Sequence, residues 1–126
     1  MATRIGMQLK VKFTYDFAEI DGRIPMIVFL DSLSIKERAK IFAYIEKLVE
    51  LKNCGIHPKE NLSKHLDDGI FELRVSFENR ISRSFYFYEL DKQIIFTHGF
   101  IKKEQKTPKS EIEKAKTIRK LWRGGK

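Results

Sequence analysis

Four stretches of the chain alternate apolar and polar residues, which is the pattern of half-buried β-strands. The first is MQLKVKFTY at Met7–Tyr15, and the others are IFELRVSF, ISRSFYFYEL and QIIFTHGF, all between residues 70 and 100. Only Glu78–Arg80 and Asp91–Lys92 separate the last three stretches. Because such short turns join antiparallel neighbours, we predict that these three form an antiparallel meander.

Two helices are predicted between the first strand and the meander. Pro25 opens the first, since proline is favoured in the first turn of a helix. Ser34 and Glu37 match the capping box, in which a hydroxyl and a carboxylate satisfy backbone amides reciprocally, and an apolar stripe follows to about Lys52. We expect the two helices to form an antiparallel hairpin packed on one face of the sheet. The stripe comprises Ile35, Ala39, Ile41, Phe42, Ile45, Leu48 and Val49.

A last helix is predicted from Thr107, as N-cap before a proline, to about Trp122. No repeat, low-complexity segment or linker interrupts the chain. We therefore predict one α+β domain over residues 1–126 with the order β-α-α-β-β-β-α and an antiparallel sheet. Residues 1–6 and 123–126 are expected to fray.

Composition and charge narrow the classes of function. Lys and Arg number 25 against 17 Asp and Glu, and the net charge of +8 favours polyanionic partners such as nucleic acid. The single cysteine, Cys54, excludes an internal disulfide and a cysteine-based zinc site, which is typical of a reducing compartment. No apolar run approaches the roughly 20 residues that cross a bilayer, and the start lacks the apolar core of a secretory signal. We expect a cytoplasmic protein with no membrane association.

Strand alternation places a carboxylate beside a guanidinium on one face of the meander. Glu72 and Arg74 lie two residues apart and project from the face opposite Leu73. On an exposed sheet face, such a pair is most often a solvated ion pair. The alternative is a functional patch in which cationic groups from the neighbouring strands converge on this pair. That patch would comprise Glu72, Arg74, Arg83, His98, Lys102 and Lys103.

Such a patch suits the cleavage of RNA without a metal ion, because the 2′-hydroxyl of RNA can attack the adjacent phosphorus. The reaction needs a base, cations for the charge on the phosphorane and a proton donor for the leaving 5′-oxygen. Glu72 is the candidate base, and Arg74 and Arg83 are candidate phosphate clamps. His98 or the lysines at 102–103 would donate the proton or stabilise charge.

Other chemistries are less well supported by the sequence. No phosphate-binding glycine loop occurs, and the histidines lack the spacing of a zinc site, so we predict no metal and no cofactor. Cys54 and His57 share a loop, where a small residue ending a helix is favoured over a Cys–His nucleophile. The aromatic run at Phe85–Tyr88 is typical of a strand covered on both faces, and a tyrosine stacked on a base is the alternative.

Three longer pieces carry a resemblance: KHLDDGIFELR, SRSFYFY and THGFIKKEQKTPKSEIEKA. Together they resemble the phage-derived, HigB-like branch of the RelE toxin superfamily, over about residues 10–121. The resemblance implies a RelE-like fold and the toxin of a type II toxin–antitoxin system, an endoribonuclease that cleaves mRNA on the ribosome. It also implies a cognate HigA-like antitoxin with a helix-turn-helix domain, through which alone the complex would contact operator DNA.

The resemblance also implies roles for individual residues. The catalytic positions of the superfamily correspond to Glu72, Arg74, Arg83, Lys102 and Lys103, and His98 belongs to an H-G-F motif of the branch. Two departures stand out: Ser82 precedes the arginine where relatives have a tyrosine, and the last helix has no tyrosine to orient the 2′-hydroxyl. The basic residues expected to extend the contact with RNA are Lys64, His65, Lys106 and Lys109, although Lys106 and Lys109 are equally compatible with simple exposure to solvent.

Two alternatives share the same predicted fold. One is a non-catalytic module that binds RNA or the ribosome. The other is an antitoxin-binding repressor subunit that has lost its activity. A Glu72 variant that loses cleavage but keeps binding would distinguish the enzyme from the binding module.

Overall fold

The computed structural model describes residues 12–102 and 106–125. Within them the chain forms an α+β fold of five strands and three helices. In chain order these are β1 (Thr14–Phe17), α1 (Pro25–Asp31), α2 (Ile35–Asn53), β2 (Ser63–Asp67), β3 (Ile70–Ser76), β4 (Ile81–Glu89), β5 (Gln93–Lys102) and α3 (Lys109–Gly124).

The strands form one mixed sheet in the order β1-β5-β4-β3-β2. The predicted meander is confirmed, since β3, β4 and β5 are antiparallel neighbours. The prediction of a wholly antiparallel sheet is wrong, because β1 lies parallel to β5, with Thr14 opposite Gln93. Alternation identifies a strand but carries no information about the direction of a partner far away in the chain. The predicted part of β1 before residue 12 lies outside the described residues.

Strand β2 is missing from the predicted element order. Its sequence, SKHLD, has one apolar residue, Leu66, so alternation gives no signal. Within the described residues, the strand lies at the edge of the sheet and pairs with β3 alone. Edge strands are often short and rich in charged residues, which discourages pairing with other chains.

Helices cover both faces of the sheet. Helices α1 and α2 pack on one face, as the sequence predicts, and α3 packs on the other. The prediction that the aromatic run of β4 is covered on both sides is confirmed, because Tyr86 contacts the α1–α2 layer and Phe87 the α3 layer. Ile35 is 77% exposed, so the apolar stripe of α2 begins later than predicted. The buried residues of the α1–α2 layer are Met26, Phe29, Leu30, Leu33, Ile41, Ile45 and Leu48.

The sequence predicted the start of α2 correctly and the start of α3 one residue too early. The capping box of α2 is confirmed: the Glu37 backbone amide donates to the Ser34 hydroxyl, and the Ser34 amide donates to the Glu37 carboxylate. In α3 the N-cap is Pro108, one residue later than predicted, and Thr107 uses its hydroxyl elsewhere. Helix α3 continues to Gly124, within the segment expected to fray.

A β-bulge in β5 decides which face its end residues occupy. Ser84 lies opposite Gly99 and Tyr86 opposite Phe96, so two steps along β4 match three along β5. The extra residue reverses the alternation of side chains beyond it. His98 therefore lies on the α3 face, whereas simple alternation would place it on the same face as Phe96.

We predict that Gly99→Ala destabilises the fold by about 1–3 kcal/mol, the usual cost of overpacking. A Cβ at Gly99 would overlap the ring of Phe29 and lie 3.1 Å from the backbone oxygen of Arg83. The control is Gly124→Ala, whose site is helical and whose added methyl group meets no described atom within 4 Å beyond its own helical turn. Urea unfolding should show a loss of stability in the first variant only. Equal stability of the two variants would contradict this packing.

Candidate functional site

The carboxylate of Glu72 forms the centre of a polar cluster on the α3 face of the sheet. Its Oε2 accepts a hydrogen bond from Nη1 of Arg83 at 2.9 Å and lies 3.9 Å from Nε of Arg74. Its Oε1 accepts one from the hydroxyl of Thr107 at 2.6 Å. Glu72 is only 2% exposed, so the expectation of a solvated ion pair on an exposed face is wrong. Helix α3 and the segment before it cover this face.

The register of β3 and β4 brings these charges together. Arg74 lies directly opposite Arg83, and Glu72 lies directly opposite Phe85. Arg83 is thus a diagonal neighbour of Glu72 on the same face, within reach of a long side chain. Arg83 is 1% exposed, and a buried guanidinium needs an anionic partner. The carboxylate also offsets the repulsion between the two arginines.

An open cleft of about 230 Å³ runs along this cluster. It is lined by Lys64, His65, Leu66, Glu72, Arg74, Arg83, Lys106, Thr107 and Ile112. Glu72 is the one carboxylate among these described residues, and it is already paired with arginine. The cleft is therefore basic and suits an anionic ligand such as a phosphate.

The structure brings together most of the predicted site residues that it describes. From the catalytic set, Glu72, Arg74 and Arg83 line the cleft, and from the RNA-binding set, Lys64, His65 and Lys106 line it. Lys109 is exposed as the first residue of α3 and does not line the cleft. Lys102 ends β5, but its side chain and the whole of Lys103 lie outside the described residues.

Sequence reasoning missed Thr107 as a site residue. A threonine before a proline is typical of a helix start, so the sequence alone assigns the Thr107 hydroxyl to capping the helix and to no other role. Its bond to Glu72 joins positions 35 residues apart, which no local pattern reveals.

His98 is buried away from the cleft, although the sequence suggested that it would converge with Glu72. Its Nε2 lies 2.9 Å from a Glu111 carboxylate oxygen, its Nδ1 lies 3.2 Å from the Thr97 hydroxyl, and its ring stacks on Phe85. Burial lowers the pKa of His98, while the bond with Glu111 opposes this shift. His98 thus joins α3 to the sheet.

His65 is held by the turn that follows its own strand. Its Nε2 accepts a hydrogen bond from the backbone amide of Gly69 at 3.1 Å, and its ring packs edge-on against Phe71. Because Nε2 accepts, the proton of the neutral ring is on Nδ1. The imidazole is therefore oriented, yet remains exposed at the edge of the cleft.

Ion pairs join α3 to acidic residues at the end of β2 and in the β2–β3 turn, outside the cleft. Lys116 bonds to Asp67 at 2.6 Å, which lowers the pKa of that carboxyl, and Arg119 bonds to Asp68 at 2.8 Å. Across residues 12–102 and 106–125, no three His, Cys, Asp or Glu side chains are grouped to hold a metal ion. In the same ranges, no helix is long and apolar enough to cross a membrane.

We predict that protonation of His98 destabilises the protein in mildly acidic solution. Its folded pKa is lowered from the usual 6.5, mainly by burial, with Glu111 opposing the shift and Lys114 adding to it. The stabilisation from the neutral ring is therefore present above about pH 6.5 and is lost as the pH falls through the lower folded value. His98→Gln, whose amide can still donate to Glu111, should flatten the decline in unfolding free energy between about pH 8 and about pH 5.

Urea unfolding at each pH measures this effect. The matched control for the loss of a histidine is His57→Gln, since His57 is exposed and lies in the connection from α2 to β2. Parallel declines in the wild type and His98→Gln would contradict the assignment.

Comparison with known proteins identifies a family. Residues 28–120 match the family described as phage-derived protein Gp49-like (DUF891), a family of RelE-like toxin type. The match covers every strand of the meander, the whole polar cluster around Glu72 and most of α3. A search of curated proteins finds no significant match. The chain belongs to the phage-derived Gp49-like family.

Proposed function

We propose that this protein is the toxin of a type II toxin–antitoxin system and cleaves mRNA by attack of the 2′-hydroxyl, without a metal ion. The observation that carries the proposal is the Glu72 carboxylate, held by Arg83, Arg74 and Thr107 in the wall of a basic cleft. Membership of a family of toxin type supports the biological role.

The bond from Thr107 marks the position that a substrate hydroxyl would take. Its hydroxyl donates to Oε1 of Glu72 at 2.6 Å, as a ribose 2′-hydroxyl would donate to a general base. Binding of RNA would exchange one hydroxyl donor for another, with no loss of hydrogen bonds at the carboxylate. Glu72 then acts as the base at Oε1 while its Oε2 keeps the hydrogen bond from Arg83.

The remaining groups serve the phosphate. As Glu72 takes the 2′ proton, the O2′–P bond forms and the P–O5′ bond breaks, leaving a 2′,3′-cyclic phosphate. Arg74, which is partly exposed, reaches the phosphate directly and stabilises the charge of the phosphorane. Arg83 is buried and acts as a positioning residue that fixes the carboxylate.

The leaving 5′-oxygen needs a proton from a cationic group at the cleft. His98 is poorly suited to this role, because it is buried against Glu111 and does not line the cleft. Within the described residues, Lys106 is the cationic candidate in the cleft wall, because Nε2 of His65 already accepts a hydrogen bond from the Gly69 amide. The lysines at 102–103 keep the role that the resemblance implies.

The proposed partners follow from charge and family. A net charge of +8 favours the ribosome and its mRNA as the setting of cleavage. The toxin type of the family suggests an antitoxin, and we propose a HigA-like helix-turn-helix protein that alone contacts operator DNA. The HigB-like branch and a cytoplasmic location belong to the same proposal.

One observation favours a second candidate function. The Glu72 carboxylate is almost fully enclosed, as expected if it serves only to neutralise Arg83. The protein would then be a non-catalytic module that binds RNA or the ribosome through the same cleft.

We predict that Glu72→Gln abolishes cleavage, lowering its rate by about 10²–10⁴-fold as expected for loss of a general base. Wild type and variant are expressed in a bacterial host, and new 5′ ends are mapped in translated mRNA. Wild type should produce cuts within codons, and Glu72→Gln should not. The matched control is Glu111→Gln, which removes a carboxylate from the same face outside the cleft and should keep cleavage.

Stability is measured in parallel, because breaking a buried ion pair costs about 3–5 kcal/mol when a charge is left unpaired. Only variants that remain folded by circular dichroism enter the comparison. Cuts by Glu72→Gln would remove Glu72 as the base. An absence of cuts from wild type, with RNA binding intact, would favour the binding module.

A further inference from the structure

A second cavity, of about 530 Å³, lies between α2 and the connection from α2 to β2. Its apolar wall consists of Tyr44, Leu51, Ile56, Pro58 and Leu62. Ile56 is 52% exposed, so the wall presents uncovered apolar surface to solvent. The volume is in the range of cavities that bind small organic groups.

Among the polar residues that line this cavity, three are cationic, and Asn61 and Ser76 are neutral. Lys47, Lys59 and Arg74 line it together with His57, and no Asp or Glu is among its described lining residues. Lys47 and Lys59 are exposed, and no ion pair within residues 12–102 and 106–125 involves them. An apolar wall with a cationic edge is complementary to a nucleobase that carries a phosphate.

Arg74 links this cavity to the cleft at Glu72. It lines both cavities, and its backbone amide donates to Leu62 just before β2 begins. The β2–β3 ladder ends with Ser63 opposite Leu73, so Arg74 lies just past its end, where the linings of the two cavities meet. A chain-like anion that crosses this edge would pass Arg74.

We propose that the cavity between α2 and β2 binds a nucleotide of single-stranded RNA next to the one at Glu72, with Arg74 on the phosphate between them. This inference rests on the proposed function for its class of substrate. The base of this nucleotide packs on Ile56 and Leu62, and the phosphates of the RNA backbone on either side of it lie near Lys47 and Lys59. A peptide from a protein partner is the competing occupant, but it would leave Arg74 without a reason to serve both cavities.

The test measures binding rather than cleavage. A single-stranded RNA with a 2′-O-methyl group on every ribose cannot undergo 2′-hydroxyl attack, and its affinity is measured by fluorescence anisotropy at several salt concentrations. Lys47→Ala/Lys59→Ala should bind about tenfold more weakly at low salt. If both lysines contact phosphates, the negative slope of log affinity against log salt should become shallower by about 1.4. The matched control, Lys36→Ala/Lys120→Ala, removes the same charge from exposed positions outside both cavities and should keep the wild-type slope.

A second variant tests contact with the base itself. Ile56→Ser changes an exposed side chain and should leave the fold intact. We expect it to weaken binding about fivefold or more, within the range for loss of base packing. The effect should vanish for an RNA that is abasic at the nucleotide concerned.

Several outcomes would overturn the inference. Equal losses in the two lysine double variants would mean that only net charge matters. Wild type that fails to bind the RNA, or pocket variants that lose a protein partner but keep RNA, would exclude a nucleotide subsite. Failure here with loss of cleavage in Glu72→Gln would leave the proposed function standing. If the wild type binds RNA through this cavity but never cleaves it, the nucleotide subsite would stand and the proposed cleavage would be wrong.

Discussion

The buried ion pair between Arg83 and Glu72 is the constraint on which the rest of the structure depends. Removing two charges from water costs several kcal/mol per ion, so neither residue can be buried on this face without the other. A slip of one residue between β3 and β4 would put them on opposite faces, so the pair specifies the strand register. Thr107 bonds to the same carboxylate, which ties the segment before α3 to the sheet.

This shared carboxylate explains why the candidate site and the scaffold cannot be separated. One oxygen of Glu72 accepts the bond from Arg83, and the other accepts the bond from Thr107. In the proposed mechanism a substrate hydroxyl replaces only the Thr107 bond, and the Arg83 hydrogen bond that links β3 to β4 is kept. Helix α3 is held independently by His98 and by its ion pairs, so displacement of Thr107 need not detach the helix.

Features of the structure could be predicted where the interacting residues lie close together in the sequence, and were missed where they lie far apart. The Ser34–Glu37 capping box joins residues three apart and was predicted fully. Alternation correctly put Glu72 and Arg74 on one face. It did not reveal that α3 covers this face, and the bulge that turns His98 towards α3 breaks the period-two rule on which strand prediction rests. The polar edge strand β2 and the parallel pairing of β1 have no local pattern at all.

The net charge of +8 is distributed unevenly over the surface, because some of the basic residues are paired with carboxylates and others are not. Three basic residues of α3 are paired with acidic residues of the strands or of the β2–β3 turn, which largely cancels their field: Lys116, Arg119 and Arg123. In the described part of the chain, no ion pair involves the lysines that line the two cavities. Uncompensated cations in concave surfaces concentrate the attraction for polyanions. Arg74 lines both basic surfaces, so under the proposed function an RNA strand attracted to either one would pass close to the carboxylate of Glu72.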